Sequence, residues 1–121
     1  MTEDADHPLL ARARDLCLGF LDSIEDDRDG HPTFRVREKA FVSAPPLGDG
    51  GLALVMQAAA GEQDSLLAEG APFFLPDGCA KGWIGIALAD DTDWDEVEEL
   101  VGDSYRAIAP KSVVRKHDGL R

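Results

Sequence analysis

The stretch that decides the fold is "KGWIGIALADDTDWDEVEELVGDSYRAIAPK", residues 81–111. In its first part, "WIGIALA", large apolar residues alternate with smaller ones, and this period of two is typical of a strand. From Trp94 onward the apolar residues instead follow helical spacing, and Thr92 or Asp93 provides a helix cap in front of them. Pro110 predicts the end of that helix. The stretch therefore predicts a strand followed by a long helix with one buried face.

The N-terminal part of the chain predicts one amphipathic helix over residues 6–24. Its apolar residues, from Leu10 to Ile24, recur at spacings of three and four, so they would share one buried face. Cys17 falls on that face, which favours a structural thiol over a reactive one. The charged run "EDDRDGH", residues 25–31, predicts a solvated loop.

An alternating segment, "PTFRVREKAFVSA", predicts a β-hairpin over residues 32–44. Phe34 would point to one side of the sheet and Arg35 to the other. The turn is predicted at Glu38 and Lys39. The basic residues of this hairpin would then lie on its outward face, where they could contact an anion.

The middle of the chain predicts a further strand and a short helix. "LALVMQA", residues 52–58, is a continuous apolar strand, and "GEQDSLLAEG", residues 61–70, is a short helix that Gly70 ends. Residues 71–82 are predicted to be irregular. The whole pattern predicts a two-layer α+β domain, in which a small antiparallel β-sheet packs against the N- and C-terminal helices.

Length and charge limit the class of protein. The chain of 121 residues predicts a single domain, residues 1–121, with a core over about residues 8–114. Its apolar runs are too short for a membrane span, and no signal peptide pattern is present, so we expect a cytoplasmic monomer. The formal net charge is −12, which should repel nucleic acid on average. Between Pro45 and Ala80 the sequence has no Lys or Arg.

No catalytic or metal-binding motif is found in the sequence. The three histidines, His7, His31 and His117, are far apart, and the two cysteines, Cys17 and Cys79, do not form a CxxC pair. No glycine-rich phosphate loop opens a helix. The sequence therefore predicts a non-enzymatic binding domain without a cofactor or metal.

Three segments in order resemble the MmcQ/YjbR family of small bacterial proteins. They are "PTFRVREKAF", "KGWIGIAL" and "DWDEVEELVGDSYRAIAPK", and the resemblance runs from about Leu10 to Val114. Many members carry an "H-M-N-K-x-x-W" stretch where this chain has "GCAKGW", so the His and Asn have no counterpart here. The resemblance implies a CyaY-like α+β fold. It also implies the DNA binding through paired hairpin wings that has been proposed for the family.

Two kinds of binding site are therefore considered. For weak nucleic-acid binding the candidate residues are Arg35, Arg37, Lys39, Lys81 and Lys111. For a drug-like molecule or metabolite, as in a self-resistance domain, the candidate residues are Phe73, Phe74, Trp83 and Tyr105. Small neighbours of Trp83 on its strand leave room for a ligand or for a packed element. A third alternative is a protein-interaction module that uses the acidic face of the last helix.

Overall fold

A computed structural model describes residues 8–28, 30–48, 50–78 and 81–120. These residues form four helices and six strands, and the predicted α+β fold class is confirmed. In chain order the elements are α1 (Pro8–Leu18), β1 (Ser23–Asp26), β2 (Thr33–Val36), β3 (Lys39–Ser43), β4 (Leu52–Gln57), α2 (Glu62–Glu69), β5 (Phe73–Phe74), β6 (Trp83–Leu88), α3 (Trp94–Ile108) and α4 (Lys111–Gly119).

The strands form one antiparallel sheet in the order β1-β2-β3-β4-β6-β5. The strand β4 lies between β3 and β6, and its continuous apolar sequence fits this central position. Its pairing with β6 extends from Leu52 opposite Leu88 to Gln57 opposite Trp83. Loops connect β1 to β2, β2 to β3 and β3 to β4, and the helix α2 lies between β4 and β5 in the chain.

One hydrophobic core fills the space between the sheet and the helices. Ile84, Ile86 and Leu88 of β6 belong to it, as the alternation in the sequence predicts. The helix α3 contributes Val97, Val101 and Tyr105, which are fully buried. The cap of α3 is also as predicted, since Oδ1 of Asp93 accepts the backbone N–H groups of Asp95 and Glu96 at 3.1 and 3.2 Å.

The opposite face of β6 is closed at its centre by an aromatic ring. Phe74 of β5 pairs with Gly85, and its ring lies over that glycine. A Cβ atom built on Gly85 would lie 2.5 Å from Cζ of Phe74, closer than real contacts allow. Glycine is therefore required here for the close approach of the ring.

The β2–β3 hairpin contains a bulge that the sequence pattern does not reveal. Phe34 is opposite Val42 and Arg35 is opposite Ala40, so Phe41 is an extra residue on β3. Phe41 and Val42 are consequently both buried although they are adjacent in sequence.

The hairpin turn lies one residue earlier than predicted. Arg37 and Glu38 have φ angles of 51° and 73°. Two successive positive φ angles match the twist of a two-residue hairpin turn. Lys39 is therefore the first residue of β3 and not part of the turn.

A buried serine joins β3 to β4 where the two strands diverge. Val42 pairs with Met56 and Ser43 pairs with Val55. At the next position the hydroxyl of Ser104 donates to the carbonyl oxygen of Phe41 at 2.6 Å and accepts the N–H of Gln57 at 3.1 Å. A side chain from α3 thus supplies the hydrogen bonds that the strands do not exchange.

The prediction of a helix up to Ile24 is wrong, and the loop predicted over residues 25–31 begins only after Asp26, because Glu25 and Asp26 belong to β1. The helix α1 ends at Leu18, and Asp22 with a φ of 65° redirects the chain into β1. Ile24 lies on this edge strand and is 51% exposed, so its apolar side chain does not mark a buried helix face. The strand β1 forms through its pairing with β2, a partner distant in sequence.

Two further elements were not predicted. Residues Phe73–Phe74 form the short strand β5 inside the segment expected to be irregular. After Pro110, which was correctly predicted to end α3, a fourth helix begins and buries Val113 and His117. Regular structure therefore continues past residue 114, and none of the described helices could cross a membrane.

Candidate nucleic-acid interface

The three candidate lysines, Lys39, Lys81 and Lys111, lie at one end of the domain. Lys39 begins β3, and the antiparallel register brings this end of β3 towards Gln57 at the end of β4. Gln57 is in turn opposite the first residue of β6, two residues after Lys81. The helix α3 runs back along the sheet, and its Ala107 lines the same groove as Lys81, shortly before Lys111. We call this region, with the β2–β3 turn, the hairpin end.

The two hairpin arginines are already neutralised by neighbouring carboxylates. Nε of Arg35 donates to Oδ2 of Asp26 at 2.8 Å, and only 12% of the Arg35 side chain is exposed. Arg37 donates to Asp22 at 3.0 Å. Arg28 also binds Asp26, and this hydrogen bond, with smaller help from Arg35, lowers the pKa of Asp26 to about 2. The Asp26 carboxylate therefore stays charged near neutral pH and competes with any anion for Arg28 and Arg35.

Arginines and lysines of this chain have different surroundings. Five arginines form ion pairs with carboxylates, namely Arg14, Arg28, Arg35, Arg37 and Arg106. In contrast, the ion pairs within the described part of the chain include no lysine. Lys39, Lys81 and Lys111 are all exposed. At the hairpin end the three lysines thus have no ion-pair partner among the described residues, whereas Arg35 and Arg37, which were also predicted to bind an anion, each have one.

The four residues predicted for a small ligand do not share one site. Trp83 and Phe74 are partly exposed on the face of β6 that points away from the core. Phe73 is instead buried in the core. Tyr105 is also buried there, where its hydroxyl donates to the carbonyl oxygen of Leu21 at 2.8 Å and burial raises its pKa. A ligand that contacts Trp83 would therefore not reach Tyr105.

A groove of about 420 Å³ lies beside Lys81. Its walls include the small residues of the turn between β4 and α2, and the side chains of Gln57 and Gln63. Nε2 of Gln63 also donates to the carbonyl oxygen of Trp83 at 2.9 Å, so the groove is tied to the start of β6. The turns at Gly61 and Gly82, both with positive φ, bring these walls together.

Metal-ligating side chains and the thiol of Cys17 are the groups of the described residues that bear on catalysis. No three His, Cys, Asp or Glu side chains within the described ranges are placed to hold a metal ion. Cys17 is buried, as predicted, and burial raises the pKa of its thiol, which disfavours a thiolate nucleophile. Cys79 lies outside the described residues.

Sequence reasoning missed both the groove glutamines and the carboxylates that pair with the hairpin arginines. Gln57 and Gln63 had no local signal, because they meet only through the pairing of β4 with β6. Asp22 and Asp26 did have one, since the acidic run around them is close in sequence to "RVR". Two short strands of opposite charge in adjacent positions could have indicated cross-strand ion pairs.

Comparison with known proteins identifies the relatives of this chain. The YjbR family model matches residues 18–107. The chain belongs to the YjbR family. The crystal structure of Deinococcus radiodurans protein DR2400, which has a DUF419 domain, shows the same fold, with a TM-score of 0.72 and 16% identity over 92% of this chain and 86% of that one. Curated proteins gave no match. The YjbR match includes Lys39 and Lys81, whereas Lys111 lies beyond it.

Proposed function

We propose that this YjbR-family protein binds the phosphate backbone of nucleic acid weakly, at its hairpin end. The observation that supports this proposal best is the difference between its arginines and its lysines. Lys39, Lys81 and Lys111 are exposed at one end, without a carboxylate partner among the described residues. Lysine ammonium groups bind phosphates as point charges and position a nucleic acid without reading its sequence.

The affinity is expected to be low and strongly dependent on salt. Three lysines can make about three phosphate contacts, whereas tight DNA binding proteins make roughly six to ten. The net charge of −12 adds a general repulsion that weakens association at low salt. We therefore propose a sequence-independent, backbone-directed interaction.

The proposed role is binding without catalysis, by a monomer in the cytoplasm. Buried positions of the candidate reactive groups support it. Tyr105 donates its hydroxyl to a backbone carbonyl in the core, and Cys17 is fully buried in α1. Neither group could contact a substrate bound at the hairpin end.

Fluorescence anisotropy with a labelled duplex, measured over a range of salt concentrations, tests the proposal. We expect log Kd to depend linearly on log salt, with a slope of about three for three phosphate contacts. Each of the substitutions Lys39→Glu, Lys81→Glu and Lys111→Glu should reduce the slope by about one and weaken binding at low salt.

Arg12→Glu is the matched control, because it makes the same change of charge elsewhere. Arg12 lies on α1 and stacks over the ring of Trp94 at 4.9 Å, at the opposite end of α3. Its replacement should leave the slope unchanged. A flat titration of the unmodified protein at low salt, or an equal loss with Arg12→Glu, would overturn the proposal.

A second candidate function is the binding of a small molecule in the groove beside Lys81. The groove's volume of about 420 Å³ favours it, because small-molecule sites usually measure roughly 300–1,000 Å³. Its lining, with one ammonium group, two amides and the carboxylate of Asp64, suits a compact polar metabolite. Gln63, which lines the groove, donates to the backbone carbonyl of Trp83, so the fluorescence of Trp83 is an indirect reporter of such binding.

Compound screening by fluorescence and thermal melting tests this second function. A Trp94→Phe background leaves Trp83 as the sole tryptophan, so a change in emission comes from the start of β6, where the backbone of Trp83 contacts Gln63 of the groove. A true ligand should raise the melting temperature, and Lys81→Met should remove that increase. Melting shifts that persist in Lys81→Met would count against this site.

A further inference from the structure

A second groove, of about 470 Å³, lies at the opposite end of the domain. Its exposed apolar surface comes from Ala71 and Pro72 before β5 and from Ala87 and Ala89 at the end of β6, with the buried Ile86 and Leu88 beneath them. Asp91, which follows β6, stands on its rim. We call this region, with the first turn of α3, the α3 end. A strand of six residues spans roughly 20 Å, so the α3 end is about that far from Lys81.

Carboxylates line this groove, and the chain supplies almost no cations near it. Asp91, Asp93 and Glu96 contribute to its rim, and Glu69 at the end of α2 is close enough to act on Glu96 electrostatically. Between Pro45 and Tyr105 the sequence contains a single basic residue, Lys81, which belongs to the other end. From the neighbouring helix α1, Arg12 reaches Trp94 and stacks on its ring.

Glu96 is the carboxylate most affected by this arrangement. Partial burial raises its pKa, and the nearby charges of Glu69, Asp93 and Glu99 raise it further. A bound cation would relieve both effects. The positive end of α3 does not offer an anion site instead, since the N–H groups of Asp95 and Glu96 already bond to Asp93.

We infer that this groove binds a small organic cation, a protonated amine carried on an apolar body. The apolar surface of the groove would contact the apolar body of the ligand, and the carboxylates would contact its ammonium group. The groove has the size of ordinary small-molecule sites, roughly 300–1,000 Å³. An added peptide strand is disfavoured, because the edge strand β5 has two residues and Pro72 before it cannot donate a hydrogen bond.

An NMR titration with phenethylamine near neutral pH tests this inference on the full chain. The amides of Ala71, of residues 86–89 and of Glu96 should shift together and reach saturation. Two probes separate the contributions: phenethyl alcohol has the same body without the charge, and methylammonium has the charge without the body. Both should bind more weakly than phenethylamine.

Glu96→Gln and Glu98→Gln form a matched pair of variants on α3. Glu96 lines the groove, whereas Glu98 lines a different groove on the side of Phe20. Glu96→Gln should weaken phenethylamine binding about fivefold, the scale of a partly exposed ion pair. Glu98→Gln should leave it unchanged.

Several results would overturn the inference. These are shifts that never saturate, shifts that map to other residues, equal binding of phenethyl alcohol, and equal effects of the two variants. All of them are independent of nucleic-acid binding, since Lys39, Lys81 and Lys111 are unchanged in these experiments.

Discussion

The carboxylates of the hairpin end and those of the α3 end have opposite kinds of neighbours. At the hairpin end acids and arginines alternate across strands, so Asp22 and Asp26 neutralise Arg37 and Arg35. At the α3 end carboxylates have mainly other carboxylates as neighbours, and burial, together with the charges of Glu69, Asp93 and Glu99, raises the pKa of Glu96. The net charge of −12 therefore does not describe either end. The local charge that a ligand contacts therefore depends on which side chains already form ion pairs within the fold.

Ser104→Ala should have the largest effect, because it removes the two hydrogen bonds through which Ser104 joins β3 to β4. The substitution leaves the carbonyl of Phe41 and the N–H of Gln57 without their buried partner. Each unsatisfied group costs about 1–3 kcal/mol, so we expect a loss of about 2–6 kcal/mol in the free energy of unfolding. Urea denaturation measures it. Ser65→Ala on exposed α2 is the control, and equal losses in both variants would contradict the bridging role.

Asp26→Asn should strengthen nucleic-acid binding, because it removes one negative charge that contacts both Arg28 and Arg35. Arg28 keeps its ion pair with Glu38, so we expect the salt slope to change by less than about one and binding to tighten about twofold at low salt. Asp91→Asn makes the same change of charge at the α3 end. If both variants bind equally well, net charge and not local pairing governs affinity.

Acid should weaken the hairpin end in a defined pH window. The folded-state pKa of Asp26 is about 2, below its ordinary value of 3.8. Its contribution to stability is therefore fully present above its unfolded pKa and is lost as the pH falls through its folded pKa. Urea midpoints of the unmodified protein and Asp26→Asn should converge as the pH approaches 2. A constant difference from pH 6 to pH 2 would show that the ion pairs do not contribute.

Glu96 should show the opposite sign, with the smallest effect. Its pKa is raised in the fold, so its ionised form is disfavoured and it costs stability above its folded pKa. Glu96→Gln should stabilise the protein slightly near neutral pH, and the gain should vanish as the pH falls below the unfolded pKa. Thermal melts at several pH values measure this change, with Glu98→Gln for comparison. Destabilisation by Glu96→Gln at neutral pH would contradict it.

The sequence predicted the elements that carry their own pattern. The strand β6 alternates and α3 has a cap, a buried stripe and a proline stop, so local residues are sufficient to define them. The strand β1 is different, because Ile24 is exposed and the strand exists only through pairing with β2. The helix α4 has few apolar residues, and it is held by contacts of Val113 and His117 with distant parts of the chain.

The candidate site was predicted in part for the same reason. Lys39, Lys81 and Lys111 were selected individually, and their position at one end follows from strand order and the direction of α3. The inclusion of Arg35 and Arg37 assumed outward, available side chains. Their pairing with Asp26 and Asp22 was missed, because those acids had been assigned to a loop and a helix, although the acidic run close to "RVR" offered a signal for it.

The contact of Phe74 with Gly85 has a consequence for how motion in this protein can be observed. The tip of the Phe74 ring packs closely over Gly85, so a flip of the ring about its axis requires the strand and the ring to separate briefly. The segment that carries Phe74 also contains Pro72, which lines the α3-end groove, while β6 leads back to Lys81. The flipping rate of this one ring, followed by NMR line shapes, would report how tightly the two ends are held together.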